Sequence, residues 1–150
     1  MLFRSFASID DLNVKLMACI RESGHAEMIE LFNRHPELAG CEAVAGVMTE
    51  SSTSEQGRLG LNRLQPRQYE RLSRLNRDYR AKFGFPFIAA LRLHRDLDSI
   101  MREGEASLGN GLEREIERTL NQISAIVYGR LCRIFSGLAA VQAAVRPDSI

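Results

Sequence analysis

The sequence predicts an all-α fold, a single-domain bundle of about seven or eight helices joined by irregular loops. Apolar residues recur at helical spacing through most of the chain, and no run of residues shows the alternation typical of a strand. The chain has 150 residues, of which 45% are hydrophobic and 26% are charged, which is enough to surround one core. We therefore assign residues 1–150 to one domain.

The first two predicted helices lie before the first proline. One starts near Ser8 and runs to about Arg21, and its apolar stripe consists of Leu12, Leu16, Cys19 and Ile20. The second covers residues 26–33 and ends ahead of His35, because the residue before a proline is disfavoured in helical geometry. We therefore expect His35 in a bend just past the C-terminal end of a helix.

Five further helical segments follow. Residues 37–48 form the first of them, and the S-x-x-E spacing at residues 52–55 is that of a capping box that starts the next. Pro66 opens a longer helix, and residues 96–106 and 113–137 predict the last two. The inward faces of the Pro66 helix and the final helix are expected to consist of Leu72, Leu75, Tyr79 and Phe83, and of Ile116, Leu120, Ile123, Val127 and Leu131, respectively.

One apolar stretch, RAKFGFPFIAA at residues 80–90, interrupts this helical pattern. Gly84 and Pro86 cannot both sit in a regular helix without lost hydrogen bonds and strain. A break there frees backbone N–H and C=O groups, which helices offer only at their ends. The stretch also carries three aromatic rings able to shut out water, those of Phe83, Phe85 and Phe87. The residues alone leave two interpretations open, an apolar turn between helices and a part of a binding site.

Charge and composition exclude several classes of protein. The formal net charge of +1 argues against a dedicated nucleic-acid binder or a polybasic membrane binder. The longest uncharged run, residues 134–145, is too short to cross a bilayer. The cysteines form no C-x-x-C pair and are expected to be buried thiols in a reducing compartment: Cys19, Cys41 and Cys132. These features predict a cytoplasmic protein.

Two charged patterns have alternative interpretations. An arginine row at i, i+4 and i+7 (Arg67, Arg71 and Arg74) is able to grip phosphates, but its helix has no aromatic stacking platform, so we favour a solvated face. An RNA-binding helical protein would need a contiguous basic surface and would lose affinity steeply with salt. The HRDLD string at residues 94–98 resembles a metal site, but it fits the N-cap region of a helix better. We expect no metal and no cofactor.

Four segments, in order, resemble the 2-oxo-4-hydroxy-4-carboxy-5-ureidoimidazoline (OHCU) decarboxylase family. They are RHPELAG, STSEQGRLGL, LNRDYRAKFGFPFI and ISAIVYGRL. The resemblance implies an all-helical, cofactor-independent carboxy-lyase that acts on a small-molecule substrate, commonly as a homodimer. It converts OHCU to (S)-allantoin in urate degradation, a part of purine catabolism.

By motif position, the resemblance implies catalytic roles for His35, Glu55 and Arg130. Substrate-binding positions are implied at Pro36, Ser52, Gln56, Gly84, Phe85, Pro86, Phe87 and Ile88. Because His35 follows a helix C-terminus, we expect its pKa to favour the protonated form, and Glu55 at a helix N-terminus should be ionised. Such a pair would supply a proton donor and a hydrogen-bond acceptor.

The chain departs from the family pattern at its beginning. It starts at MLFRSF, without the helical segment containing a P-W dipeptide that usually precedes an R-P-F string, and Ser5 replaces the proline. Leu59 also stands where the family usually has a small residue. An alternative function is therefore a catalytically impaired helical interaction module derived from the family.

Overall fold

The computed structural model describes residues 6–38, 57–61 and 63–145, with side chains described as far as residue 138. Within these ranges the chain is all-α, without strands. It has five α-helices, α1 (Ile9–Arg21), α2 (His25–Asn33), α3 (Pro66–Phe83), α4 (Leu97–Ser107) and α5 (Leu112–Val145), and one 3₁₀ turn (Leu91–Leu93). The predicted fold class is confirmed; the predicted count of seven or eight helices is not, and the predicted segments at 37–48 and 52–55 lie mostly outside the described residues.

Helix α1 begins as predicted but buries only part of the predicted apolar stripe. The Ser8 side chain accepts a hydrogen bond from the backbone N–H of Asp11, which caps the helix. Met17 is the buried residue of α1, whereas Leu16 and Cys19 are exposed. The predicted burial of Leu16 and of the Cys19 thiol is therefore wrong, because α1 packs on α5 through the side of the helix that carries Met17. The other two residues of the predicted stripe are half-buried, and Ile20 packs against the core. Cys132 is half-buried, and Cys41 lies outside the described residues.

Helix α3 follows the prediction from end to end. Pro66 occupies its first turn, and Gly84 ends it in the left-handed conformation with φ of 80°. That conformation favours glycine, so the sequence signal for the stop has a direct physical cause. All four predicted inward residues are buried: Leu72, Leu75, Tyr79 and Phe83.

Helix α4 packs closely against α3. Asp96 caps α4 by accepting a hydrogen bond from the backbone N–H of Ser99 at 2.8 Å, so the N-cap interpretation of the HRDLD string is confirmed. Gly104 allows the close approach of the two helices, because a Cβ there would stand 2.5 Å from Leu75 Cδ2. Arg71 of α3 binds Glu105 at 2.6 Å and Asp98 at 2.7 Å. The central residue of the arginine row is therefore paired with two carboxylates.

Helix α5 is the longest element and extends past the predicted end at residue 137. Its predicted inward residues Ile116, Leu120 and Ile123 are buried, and Val127 packs partly buried against the same core. Asn13 of α1 donates a hydrogen bond to Ser124 of α5 at 2.9 Å. Among the described residues, no helix combines the length and the apolar character needed to cross a membrane.

An aromatic cluster forms the centre of the core. The Tyr79 ring lies 4.7 Å from Phe83, 5.8 Å from Phe85 and 5.3 Å from Phe87, measured between ring centroids. Phe32 of α2 completes the cluster, with its centroid 5.0 Å from that of Phe85. The segment after α3 therefore anchors itself in the core by its side chains, which leaves its backbone to be bound by other groups.

Candidate active site

His35 lies in the predicted bend directly after α2. Its backbone N–H donates to the Phe32 carbonyl at 3.0 Å, which closes the last turn before Pro36 ends the helical geometry. Phe32 is fully buried, so the core fixes the end of α2, while His35 itself is half-buried. The bend thus holds the imidazole at the edge of the core.

Side chains on both flanks tie this bend to α3 and to the segment that follows it. Asn33 donates to the Gly84 carbonyl at 3.0 Å and accepts from Arg80 at 3.1 Å. Arg80 also donates to Glu37 at 2.8 Å. The bend that carries His35 is therefore held against the apolar stretch at residues 80–90, which we call the broken stretch, although the two are distant in the sequence.

Arg130 lies close enough to His35 for its charge to act on the imidazole. Burial lowers the pKa of His35, and the positive charge of Arg130 lowers it further. The expectation of a protonated His35 is therefore wrong, because burial and the nearby guanidinium outweigh the partial negative charge at the end of α2. In the resting protein His35 is a neutral imidazole at neutral pH, and so a proton acceptor.

The broken stretch has buried side chains and a backbone held by polar side chains. Phe83, Phe85 and Phe87 are almost fully buried in the aromatic cluster rather than standing as a screen in front of a site. Pro86 and Ile88 are also buried, whereas Gly84 is exposed. Substrate binding by these residues stays a prediction, and their core positions leave the backbone as the part of the stretch to contact a ligand.

Three long side chains hold the backbone between Ile88 and Leu91. Arg118 donates to the Ile88 carbonyl at 3.1 Å, and Gln122 accepts from the Ala90 N–H at 2.8 Å. Arg58 donates to the Leu91 carbonyl at 2.7 Å. Because this stretch has an irregular backbone, these side chains supply the hydrogen bonds that backbone groups supply to one another in a helix or sheet.

A buried charged network lies beside the stretch, and no pattern in the sequence predicted it. Glu115 is fully buried and accepts from Tyr79 at 2.6 Å, from Asn110 at 2.8 Å, and from Arg118. Burial and the hydrogen bond to Glu115 raise the pKa of Tyr79. Burial opposes the charge of Arg118, but its hydrogen bonds to Tyr79 and Glu115 leave its pKa raised. The network therefore brings a protonated phenol and a charged guanidinium to one buried carboxyl group.

Arg118 extends the network toward the 3₁₀ turn. It binds Glu103 at 3.1 Å, and its guanidinium lies 4.8 Å from the centroid of the Phe87 ring. His94 lies 3.3 Å from Glu103 and 3.1 Å from the Ser99 hydroxyl. In the part of the chain that the structure describes, no three residues of the types that ligate metals are grouped as a metal site.

The structure brings together only part of the predicted site. His35, Arg130 and the broken stretch are connected through α2, α3 and α5, whereas Ser52, Glu55 and Gln56 lie outside the described residues. Arg58, two residues after Gln56, is tied to the carbonyls of Leu91 and His94 at 2.7 and 3.3 Å. The described arrangement offers a neutral imidazole and a nearby guanidinium, and it ties the bend that carries His35 to the Gly84 carbonyl.

Comparison with known proteins gives a consistent result. A 2-oxo-4-hydroxy-4-carboxy-5-ureidoimidazoline decarboxylase of Xenopus laevis is 32% identical over 130 residues, which are 87% of this chain and 74% of the relative. A protein of the same name from Halalkalicoccus jeotgali is 34% identical over 126 residues, covering 84% and 69% of the two chains.

The fold also matches a solved structure, and a family match covers most of the chain. A crystal structure of OHCU decarboxylase in the presence of (S)-allantoin aligns with a TM-score of 0.70 over 89% of this chain and 86% of that one, at 18% identity. A sequence model described as OHCU decarboxylase matches residues 1–132. The chain therefore belongs to the OHCU decarboxylase family.

Proposed function

We propose that this protein removes carbon dioxide from OHCU and releases (S)-allantoin, without a cofactor, as a step of urate degradation. The observation that carries the proposal is that Arg130 lies near His35, although these two motif residues are far apart in the sequence. Burial and the positive charge of Arg130 both lower the pKa of His35. The relatives that bear the decarboxylase name support the same reaction. They give no support to the alternative of an impaired interaction module.

The substrate itself supplies the electron sink. Its carboxylate and hydroxyl share one ring carbon, and the neighbouring carbon bears the ureido group and the ring double bond. When carbon dioxide leaves, the bonding electron pair forms a new double bond between these two carbons, and the ring nitrogen takes a proton from solvent. An enol results, so the chain needs to stabilise only the negative charge that develops during this step.

Arg130 is suited to that developing charge. A tight ion pair with the departing carboxylate would stabilise the ground state, because carbon dioxide is neutral and loses the interaction. We therefore assign Arg130 to the ring nitrogen or carbonyl oxygen where charge grows, or to the ureido arm. Glu55, when ionised, would accept a hydrogen bond from a substrate N–H or hydroxyl group.

His35 completes the reaction in its neutral form. The imidazole accepts the proton of the enol hydroxyl, which creates the carbonyl of allantoin, and returns a proton to the adjacent carbon. Delivery to one face of that carbon sets the S configuration. A lowered pKa suits this role, because the group must first be a base and then release its proton readily.

The test is a coupled assay that generates OHCU from urate in situ with urate oxidase and hydroxyisourate hydrolase, followed by circular dichroism. We expect rapid formation of optically active allantoin with the wild-type protein. A rate and an optical signal equal to those of the uncatalysed mixture would refute the proposal.

Matched variants separate the proposed roles from loss of structure. His35→Asn and Glu55→Gln should each reduce turnover by about 100-fold or more, which is the usual contribution of a general acid or base. His25→Asn replaces an exposed histidine of α2 and should leave turnover unchanged. Equal activity of His35→Asn and His25→Asn would contradict the role of His35.

We also propose that the protein is cytoplasmic and forms a homodimer. It binds a small-molecule substrate and binds neither nucleic acid nor a membrane. The family resemblance supports the dimer, and the carboxylate partners of Arg71 argue against a phosphate-binding arginine row. Sedimentation equilibrium should give twice the chain mass of 16.9 kDa. A concentration-independent monomer would overturn the dimer.

A further inference from the structure

Three consecutive turns of α5 hold the broken stretch and the 3₁₀ turn that follows it. Arg118 donates to the Ile88 carbonyl at 3.1 Å, and Gln122 accepts from the Ala90 N–H at 2.8 Å. The Ala125 carbonyl accepts from Arg92 Nε at 3.0 Å. The contacts therefore follow the two segments in the same direction. Each step covers two residues between Ile88 and Arg92 and about one helical turn of α5.

The first step, from Ile88 to Ala90 in the stretch and from Arg118 to Gln122 in α5, has matching lengths. Four residues of an α-helix rise about 6 Å, and two residues of extended chain advance about 6.6 Å. Ala90 has extended backbone angles, with φ of −77° and ψ of 94°. A slip of one residue would bring a carbonyl or a side chain opposite Gln122 in place of the Ala90 N–H, so these contacts specify one register.

The same alignment reaches the turn of α5 that carries Arg130. The side chain of Arg92 lies against Gly129, where a Cβ would stand 3.1 Å from Arg92 Nε. Glycine at this position thus permits the close approach. Helix α5 therefore links the backbone of residues 88–92 rigidly to Arg130.

We propose that Gln122 is a positioning residue, which fixes the register of residues 84–90 against Arg130 by accepting the Ala90 N–H. The inference rests on the proposed function, in which Arg130 acts on the substrate, and it places that substrate between this backbone and Arg130. Among the three contacts, that of Gln122 is the most specific, because Arg118 also binds Glu103 and Glu115, and the Ala125 carbonyl binds a side chain rather than the backbone. If this alignment of residues 84–90 with α5 were lost, the bound substrate would be misoriented relative to His35, the residue that returns the proton.

The test compares two substitutions of similar size. Gln122→Met removes the acceptor, whereas Gln122→Glu keeps an oxygen able to accept from the Ala90 N–H. We expect Gln122→Met to lower kcat by about 10- to 100-fold, as small misplacements at reacting centres do, with a smaller change in KM. The enantiomeric excess of allantoin should fall as well, and Gln122→Glu should restore both. Gln122→Ala, which leaves room for water, replaces Gln122→Met if the latter does not fold.

Ser124→Ala is the matched control on α5, because it removes a hydrogen bond to Asn13 of α1 and none to the stretch. It should leave kcat and enantiomeric excess unchanged. Wild-type values in folded Gln122→Met, or losses in Ser124→Ala as large as those in Gln122→Met, would overturn the inference alone. An inactive wild-type protein would overturn the proposed function and, with it, this inference.

Discussion

Replacing Arg118 by methionine should destabilise the fold far more than the loss of a surface ion pair. Glu115 is fully buried and would keep only two neutral donors, Tyr79 at 2.6 Å and Asn110 at 2.8 Å. Removing one partner of a buried ion pair costs about 3–5 kcal/mol, because the remaining charge is left uncompensated. For a chain of this size that corresponds to a fall in Tm of roughly 6–20 °C.

Urea unfolding followed by circular dichroism and fluorescence would measure the loss, with calorimetry to check two-state behaviour. Arg34→Met is the control, since its ion pair with Glu30 is largely exposed and its removal should leave the midpoint within error. Adding Glu115→Gln to Arg118→Met should recover a large part of the loss, because no buried charge remains. Equal effects of Arg118→Met and Arg34→Met would refute the reasoning.

Two further predictions follow from the same structure. Because burial and Arg130 lower the pKa of His35, the unfolded chain binds this proton more readily, so the unfolding free energy should fall as pH drops below 6.5 toward the folded-state pKa. The value of kcat/KM should fall over the same pH range. Urea titrations at several pH values should show that the unfolding free energy of His35→Asn depends less on pH. Gly104→Ala should destabilise the protein by about 1–3 kcal/mol, since its Cβ would stand 2.5 Å from Leu75 and 3.1 Å from Phe87. Urea unfolding measures the loss, and an unchanged midpoint would show that these side chains move aside at no cost.

Elements with strong terminal signals were predictable from the sequence. Helix α3 has proline in its first turn and glycine at its end, and both boundaries are observed as predicted. Helix α5 ran past its predicted end because Gly137 inside an exposed helix costs only about 1 kcal/mol, which adjacent good helix formers offset. The helix ends at Val145, ahead of Pro147, a residue that does terminate helices.

Features set by tertiary contacts were not predictable in the same way. The apolar pattern of α1 allows more than one face to be buried, and only its packing on α5 selects Met17 over Leu16. Glu115 would be placed on the surface by any single-residue preference, yet it is fully buried because Tyr79 and Arg118 meet it from two sides. The motif residues of the site were recognisable, but the protonation of His35 depends on burial and on Arg130, which the sequence does not reveal.

The neutral state of His35 suits a decarboxylase better than the protonated state that its place at the end of α2 predicts. A protonated His35 beside Arg130 would place two positive charges near the carboxylate that must leave as neutral carbon dioxide, and so would stabilise the ground state more than the transition state. With the imidazole neutral, Arg130 can act on the charge that develops on the ring. The same repulsion that lowers the pKa of His35 also helps it to release its proton once it has gained one. The proximity of two residues that are distant in the sequence thus supports both the bond-breaking and the proton-transfer steps of the proposed reaction.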